Sequence, residues 1–283
     1  MTANPHQAVA PMTRAIGPDA FATSDGTYLW WLTNAGFLIN ARGTLVMVDP
    51  AISLSDEERE VSETGHRLLV PLPIQAQGVS RLDICLYTHA DYDHFAPATA
   101  RTLIPTGALF VGPPPVAVEL EKLGVPAERI RVARAGERAA VGPVTVAVTP
   151  ADHPWQIRDP ARFGPPWKPE ECCGYLVSTP DGAIWHPGDT RLMDEHIEMR
   201  GVDVLLLDAS RNEYHLGVEN AVRLANASDA RHIIPHHYGT YLHTDPSPHN
   251  PYNGDPAELA PRIRDSVHRF HVLAPGERFA LTA

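Results

Sequence analysis

From residue 28 onward, short apolar runs alternate with turn-forming clusters. Residues 28–32, 37–40 and 44–48 each have strand length, and Asn34-Ala35-Gly36 and Ala41-Arg42-Gly43 separate them, as in a β-meander. The third run stops at Asp49-Pro50, and residues 51–80 carry no clear period, which predicts an excursion over the surface. Residues 83–88 predict the next strand, 97–103 a short helix and 108–111 another strand. Helical spacing over 116–123 ends at Gly124, a C-cap residue. Residues 130–133 and 144–148 predict further strands, the second leading to Asp152-His153. Residues 154–172, rich in Pro, Trp and charge, predict a loop. A loop of that length in a compact domain usually serves as a lid or binding element. Beyond it, 174–178 and 183–185 form a hairpin around Pro180-Asp181-Gly182. The fully apolar run 202–207 reads as a buried strand, 218–227 as a helix, 233–234 as a short strand and 257–267 as a closing helix. Trp30 and Trp31 are neighbours on the first strand, so one is expected inside and the other outside.

Strands and helices in both halves, without the glycines of a dinucleotide fold, predict an α+β protein of two sheets packed face to face with helices outside. The expected organisation is a loose arm over residues 1–24 and a single domain over 25–283. Its two sheet halves would cover about 25–150 and 151–283. The net charge of −11, with no basic run, argues against a nucleic-acid groove. The three cysteines, Cys85, Cys172 and Cys173, do not describe a disulfide framework. Residues 1–20 lack the apolar core of a signal peptide, and no run has transmembrane length. A cytoplasmic protein with a small-molecule substrate, no nucleic acid and no membrane partner is expected. A homo-oligomer is compatible with the sequence.

The chemistry concentrates in Thr88-His89-Ala90-Asp91-Tyr92-Asp93-His94, directly after a buried-type strand. So many polar side chains at one point are costly to bury unless something neutralises them. Imidazole nitrogen and carboxylate oxygen are natural ligands of a divalent cation. Asp49, His153, Asp189 and His237 also fall at strand ends. Ligands of a compact site should come from strand ends converging on one edge of a scaffold.

The ordered segments Asn34-Ala35-Gly36-Phe37, Val48-Asp49-Pro50, Thr88–His94, His186-Pro187-Gly188-Asp189-Thr190 and Pro235-His236-His237-Tyr238-Gly239 resemble the metallo-β-lactamase-fold hydrolases. The details are similar to the branch of the L-ascorbate-6-phosphate lactonase (UlaG-like proteins). The resemblance covers about residues 28–245 and implies a four-layer αββα sandwich with one or two divalent ions, Mn, Fe or Zn. It implies a first metal on His89, Asp91 and His153, and a second on Asp93, His94 and His237, with Asp189 bridging. A mononuclear second site is the alternative. Asp49 would orient ligands without binding metal, and His186 and His236 would face the other way. Asp91 departs from the family's usual histidine, and a harder carboxylate favours manganese or iron over zinc.

The implied activity is metal-assisted activation of water for attack on a lactone, another ester or a phosphoester. Asp93 would also relay protons, and His215 and His243 would donate to a substrate oxygen. Trp155, Arg158, Phe163 and Trp167 in the long loop either recognise a ring or an anion or merely pack the loop. Arg191 and Tyr241 are further candidates for substrate contact. His66 reads as a solvated or capping residue. An iron-dependent oxygenase or redox enzyme on the same fold is the alternative activity.

Overall fold

A computed structural model describes residues 7–58, 60–243 and 250–281. The first sheet contains β1 (Thr27–Trp31), β2 (Phe37–Ala41), β3 (Thr44–Val48), β4 (Ile84–Leu86), β5 (Leu109–Gly112) and β6 (Ile130–Val132). The second contains β7 (Arg138–Val141), β8 (Val144–Pro150), β9 (Cys173–Thr179), β10 (Gly182–His186), β11 (Val204–Asp208) and β12 (His232–His236). The last strand, β13 (Arg278–Leu281), returns to the first sheet, giving the orders β13-β1-β2-β3-β4-β5-β6 and β12-β11-β10-β9-β8-β7. The sheets therefore do not divide at residue 150. The chain crosses between β6 and β7, and its C-terminal strand crosses back. Neither β7 nor β13 was expected, because both are short edge strands whose alternate positions are exposed arginines and small residues.

The period-two alternation of β1–β4 explains the layering. Leu29, Trp31, Phe37, Ile39, Val46, Val48, Ile84 and Leu86 point into the core between the sheets. Trp30, Leu38, Leu45, Met47 and Cys85 point the opposite way, into a second core. That second core is closed by α1 (Pro97–Leu103) and α2 (Pro114–Lys122), which contribute Ala100, Leu103, Val116 and Leu120. Trp30 and Trp31 are thus both buried, one in each core, because helices cover the outer face of this sheet. On the far side, α5 (Gly217–Ala227) packs on β11 with Ala221, Leu224 and Ala225, which makes four layers. Between α2 and α5 lie α3 (Pro160–Phe163), in the long loop, and α4 (Asp194–Glu198).

Two further expectations are corrected. The described part of the N-terminal arm is docked. Ala10 N–H donates to Gly239 O at 2.9 Å, Arg14 N–H to Pro275 O at 2.8 Å and Ile16 N–H to Pro73 O at 2.9 Å; residues 1–6 lie outside the described residues. The single closing helix is instead α6 (Pro256–Leu259), a tight turn at Ala260–Arg262 and α7 (Ser266–Arg269). Pro261 has no N–H to continue the ladder, and Asp265 takes φ 55°. Among the described residues, no helix is long and apolar enough to cross a membrane.

Candidate metal centre

Every strand that approaches the site ends on the same edge of the sandwich. Asp49 follows β3, the 88–94 turn follows β4, His153 follows β8, Asp189 follows β10 and His237 follows β12. Asp208 is the last residue of β11. Two of these side chains are swung into place by left-handed backbone, with φ 44° at Asp49 and 60° at His237. Such conformations are disfavoured for non-glycine residues and concentrate at functional sites.

Each candidate histidine has one ring nitrogen tied to an outer partner. His94 Nδ1–H donates to Asp49 Oδ2 at 2.8 Å. Thr88 Oγ1 donates to Asp49 Oδ2 at 2.7 Å and can therefore accept from His89 Nδ1–H at 2.9 Å. His153 Nδ1–H donates to Tyr214 O at 2.9 Å, and His237 Nδ1–H to Pro251 O at 3.1 Å. These bonds fix the tautomers and turn four Nε2 atoms inward, the arrangement that outer partners impose on metal-binding histidines. Asp49 binds no inward group itself, since its oxygens are taken by Thr88 and His94.

At the centre, Asp189 Oδ2 lies 3.1 Å from His94 Nε2, 3.3 Å from His237 Nε2 and 3.9 Å from His153 Nε2. Asp93 Oδ2 lies 3.8 Å from His94 Nε2 and 3.7 Å from His237 Nε2. Asp91 Oδ2 lies 3.3 Å from His89 Nε2 and 3.8 Å from His153 Nε2. The donors thus cluster as His89, Asp91 and His153 on one side and Asp93, His94 and His237 on the other, with Asp189 within reach of both. Among the described residues, His89 Nε2, His94 Nε2, His237 Nε2 and Asp189 Oδ1 are buried without a hydrogen-bond partner. Unpaired polar atoms at such depth call for a ligand, and the nitrogen and oxygen set fits one or two divalent cations.

The electrostatics agree with that reading. Burial pushes Asp93 and Asp189 upward, yet His94 and His237 outweigh it and hold both carboxyls well below their ordinary value. Conversely, burial opposes charge on His94 and His237, but Asp189 leads the surrounding carboxylates in holding both well above theirs. Burial takes His153 down to about 3, so its Nε2 lone pair stays free.

Above the cluster opens a cavity of about 690 Å³. Trp155, Arg158, Phe163 and Trp167 of the long loop line one wall, and His215, His243 and Tyr252 line others. His215 is buried, with Nδ1 donating to Asp208 Oδ2 at 2.6 Å and lying 3.6 Å from Asp189 Oδ2. His243 stands with its ring 5.6 Å from that of Tyr252; residues 244–249 of its segment lie outside the described residues. Two expected substrate contacts are not brought here. Arg191 turns to Asp152, its Nε donating to Oδ2 at 2.9 Å. Tyr241 is fully buried and stacked on His66 with centroids 5.0 Å apart, behind the cavity wall. His186 and His236 pack against Phe37 instead of joining the cluster.

Three residues stand at the site that the sequence does not place there. Asp208 ends a buried strand, the same signal that exposed Asp49. Tyr252 O–H donates to Asp93 Oδ2 at 2.9 Å. His66, expected as a solvated or capping residue, lines the cavity with Nε2 at 3.1 Å from Tyr252 Oη.

Residues 44–238 match the family described as Beta-lactamase superfamily domain. A UPF0173 metal-dependent hydrolase of Pyrobaculum calidifontis is 26% identical over 252 residues, covering 87% of this chain and 96% of its own. The structure of isothiocyanate hydrolase from Delia radicum gut bacteria is similar with a TM-score of 0.69 and 19% identity, over 90% of this chain and 100% of the other. That of CmlA, a diiron beta-hydroxylase from Streptomyces venezuelae, has a TM-score of 0.65 and 16% identity, over 92% and 55%. The two structures speak for the fold alone. The family match, by contrast, spans every strand end that carries a ligand candidate from Asp49 to His237, and the chain belongs to the beta-lactamase superfamily, folded as its metallo-β-lactamase αββα sandwich.

Proposed function

We propose that this protein is a metal-dependent hydrolase acting on a small, largely apolar ester or lactone. The observation that carries the reading is the set of inward, unpartnered Nε2 atoms around Asp189 beneath an open cavity. His89, Asp91 and His153 would hold one cation, Asp93, His94 and His237 a second, and Asp189 would serve both. When bound, such cations polarise a carbonyl and lower the pKa of water to roughly 7.

The chain's own residues supply the rest. Asp93 lines the cavity as a carboxylate whose Oδ2 is held by Tyr252 O–H and Asn34 Nδ2–H, and its other oxygen is the one that would take a proton from the attacking water. Asp208 fixes His215 through Nδ1, which leaves Nε2 as the nitrogen that exchanges a proton with the leaving oxygen. His243, on the far wall, is the second candidate for that exchange. Trp155, Phe163 and Trp167 offer flat apolar faces that exclude water and suit a ring or alkyl group. Among the described lining residues Arg158 is the one arginine or lysine, and Glu119 is also among them. That balance favours a neutral ester over a phosphoester, which prefers several cationic side chains. The resemblance of the sequence motifs to the lactonase branch supports the same bond type, and the Pyrobaculum relative bears a hydrolase name.

The test is hydrolysis by protein reconstituted with Mn, Fe or Zn, against aryl and alkyl esters, lactones and phosphodiesters. Ester or lactone turnover that chelation abolishes and metal restores is expected. A fully loaded protein that turns over none of them would overturn the reading. One observation favours a second activity. Three carboxylates around the histidines, Asp91 among them, suit iron, and CmlA, part of which this chain resembles in fold, is described as a diiron beta-hydroxylase. An iron-loaded protein with visible absorption and substrate-dependent oxygen consumption would support an oxygenase instead.

A further inference from the structure

We propose that Asp91 is a positioning residue that latches the aromatic loop over the site, a task for which a carboxylate is suited and an imidazole is not. The indole Nε1–H of Trp155 donates to Asp91 Oδ2 at 2.6 Å, and that of Trp167 reaches the same oxygen at 3.4 Å. The two tryptophans bracket the loop. Trp155 begins the tight turn Trp155–Arg158, ahead of α3, and Trp167 precedes the turn Pro169–Glu171. Inside the loop, Trp155 packs on Phe163 with centroids 4.9 Å apart, and Trp167 N–H donates to Gln156 Oε1 at 3.1 Å. The loop is thus a small unit with its own internal contacts, and both its indoles are tied to one oxygen of the 88–94 turn.

That oxygen is also the one that faces His89 Nε2 and His153 Nε2. A carboxylate can serve both sides, since the indoles take only one of its two oxygens, Oδ2, and the other still offers acceptor positions to a cation. An imidazole cannot. With Nε2 committed to a cation, its other nitrogen carries a proton and offers an indole nothing to accept it. Outer donors of this kind hold a metal-binding carboxylate in place. By linkage, whatever fixes Asp91 from the metal side also firms the loop, and the reverse holds equally. The inference rests on the metal centre proposed above, though not on any reaction there.

The test reads loop order and metal content, so it is separable from turnover. Amide hydrogen exchange over residues 154–171 is followed in wild type, Asp91→His and the Trp155→Phe/Trp167→Phe double variant, each chelated and then loaded with zinc or manganese. Wild type should slow its loop exchange on loading. In Asp91→His the loop should exchange about tenfold faster, the scale of about 1.4 kcal/mol in lost charge-assisted bonds, and should ignore the metal. The double variant leaves every ligand in place. It should keep the wild-type metal stoichiometry and still lose the metal-dependent protection, and it carries the test if Asp91→His fails to fold. Loop exchange that slows on loading in the double variant as it does in wild type would overturn the proposal. So would a loop in folded Asp91→His as protected as in wild type.

Discussion

At the scale of single residues, the site depends on what stands behind each ligand. Asp208 accepts the Nδ1–H of His215 at 2.6 Å, with both buried, and also lies close to His237. Asp208→Asn keeps the volume but can present an N–H to that nitrogen, and so permits the wrong tautomer. Turnover should fall by about 10–100-fold, the usual cost of losing such an outer partner. Metal content should stay unchanged, checked by elemental analysis beside kinetics; an equal loss of metal would make His215 a ligand. Tyr252→Phe removes one of the two donors on Asp93 Oδ2, leaving Asn34 Nδ2–H, and the partner of His66 Nε2. Activity is expected to drop about tenfold or more through Asp93, with a change in stability within about 1 kcal/mol, measured by steady-state rates and urea unfolding. These residues also mark what the chain reveals on its face. Asp49, His89, Asp93, His94, His153, Asp189 and His237 were legible as candidates because each lies in the turn that follows a strand-like run. Asp208 carried the same mark and passed unnoticed because the run itself looked purely structural. Tyr252 and His66 come from stretches without periodicity, and no local pattern tells that they fold over Asp93. Arg191 and Tyr241 misled for the converse reason. Proximity in sequence to a ligand says nothing about which way a long side chain turns.

At the scale of elements, the ligands are precise because adjoining backbones leave no slack. Gly174 on β9 lies beneath the turn after β10, and a Cβ there would stand 2.5 Å from Pro187 O and 2.6 Å from His186 O. Because backbone cannot step aside as a side chain can, Gly174→Ala should shift the turn that carries Asp189. A loss of about 1–3 kcal/mol is expected, together with weaker metal retention, read by thermal unfolding and by metal content after dialysis. The helix α4 contributes a different sensitivity. His196 is buried, its Nδ1 accepts Met193 N–H at 3.3 Å and its Nε2–H donates to Pro150 O at 3.0 Å. That pairing requires the neutral ring, and burial lowers its pKa from 6.5. Since the unfolded chain then binds the extra proton first, His196 stabilises the fold above about pH 6.5, and this is lost as pH falls toward the lowered value. His196→Gln should flatten the decline of the unfolding midpoint between about pH 7 and pH 5; an unchanged slope would place the acid sensitivity elsewhere. The elements themselves were mostly legible because strands buried on both faces leave long apolar signatures. The failures, β7, β13 and the broken C-terminal helix, are places where edge exposure or Pro261 removed that signature.

At the scale of the whole molecule, two sheets deliver several buried carboxylates and four inward imidazoles to one edge, and that assembly must be neutralised somehow. Without a cation, the carboxylates do it by drawing protons onto His94 and His237, whose pKa values stand well above the ordinary 6.5. A group whose folded pKa is raised stabilises the fold fully below its unfolded value, and the benefit disappears as pH rises through the folded value. The metal-free protein should therefore weaken on the alkaline side, as the protons leave and the carboxylates face one another. A divalent ion replaces those protons and does not leave at high pH, because its ligands must be deprotonated to bind it. Loading should thus release protons, and the apparent affinity should rise with pH. The gap in unfolding temperature between loaded and chelated protein should widen from about pH 6 to about pH 9. The acid loss through His196 is common to both forms and cancels in that gap. Scanning calorimetry of both forms across this range is the check, with calorimetric titration in buffers of different ionisation enthalpy to count the protons. A gap independent of pH, with no proton release, would mean that the cluster does not exchange protons for a cation, and the case for a metal centre at Asp189 would fall with it.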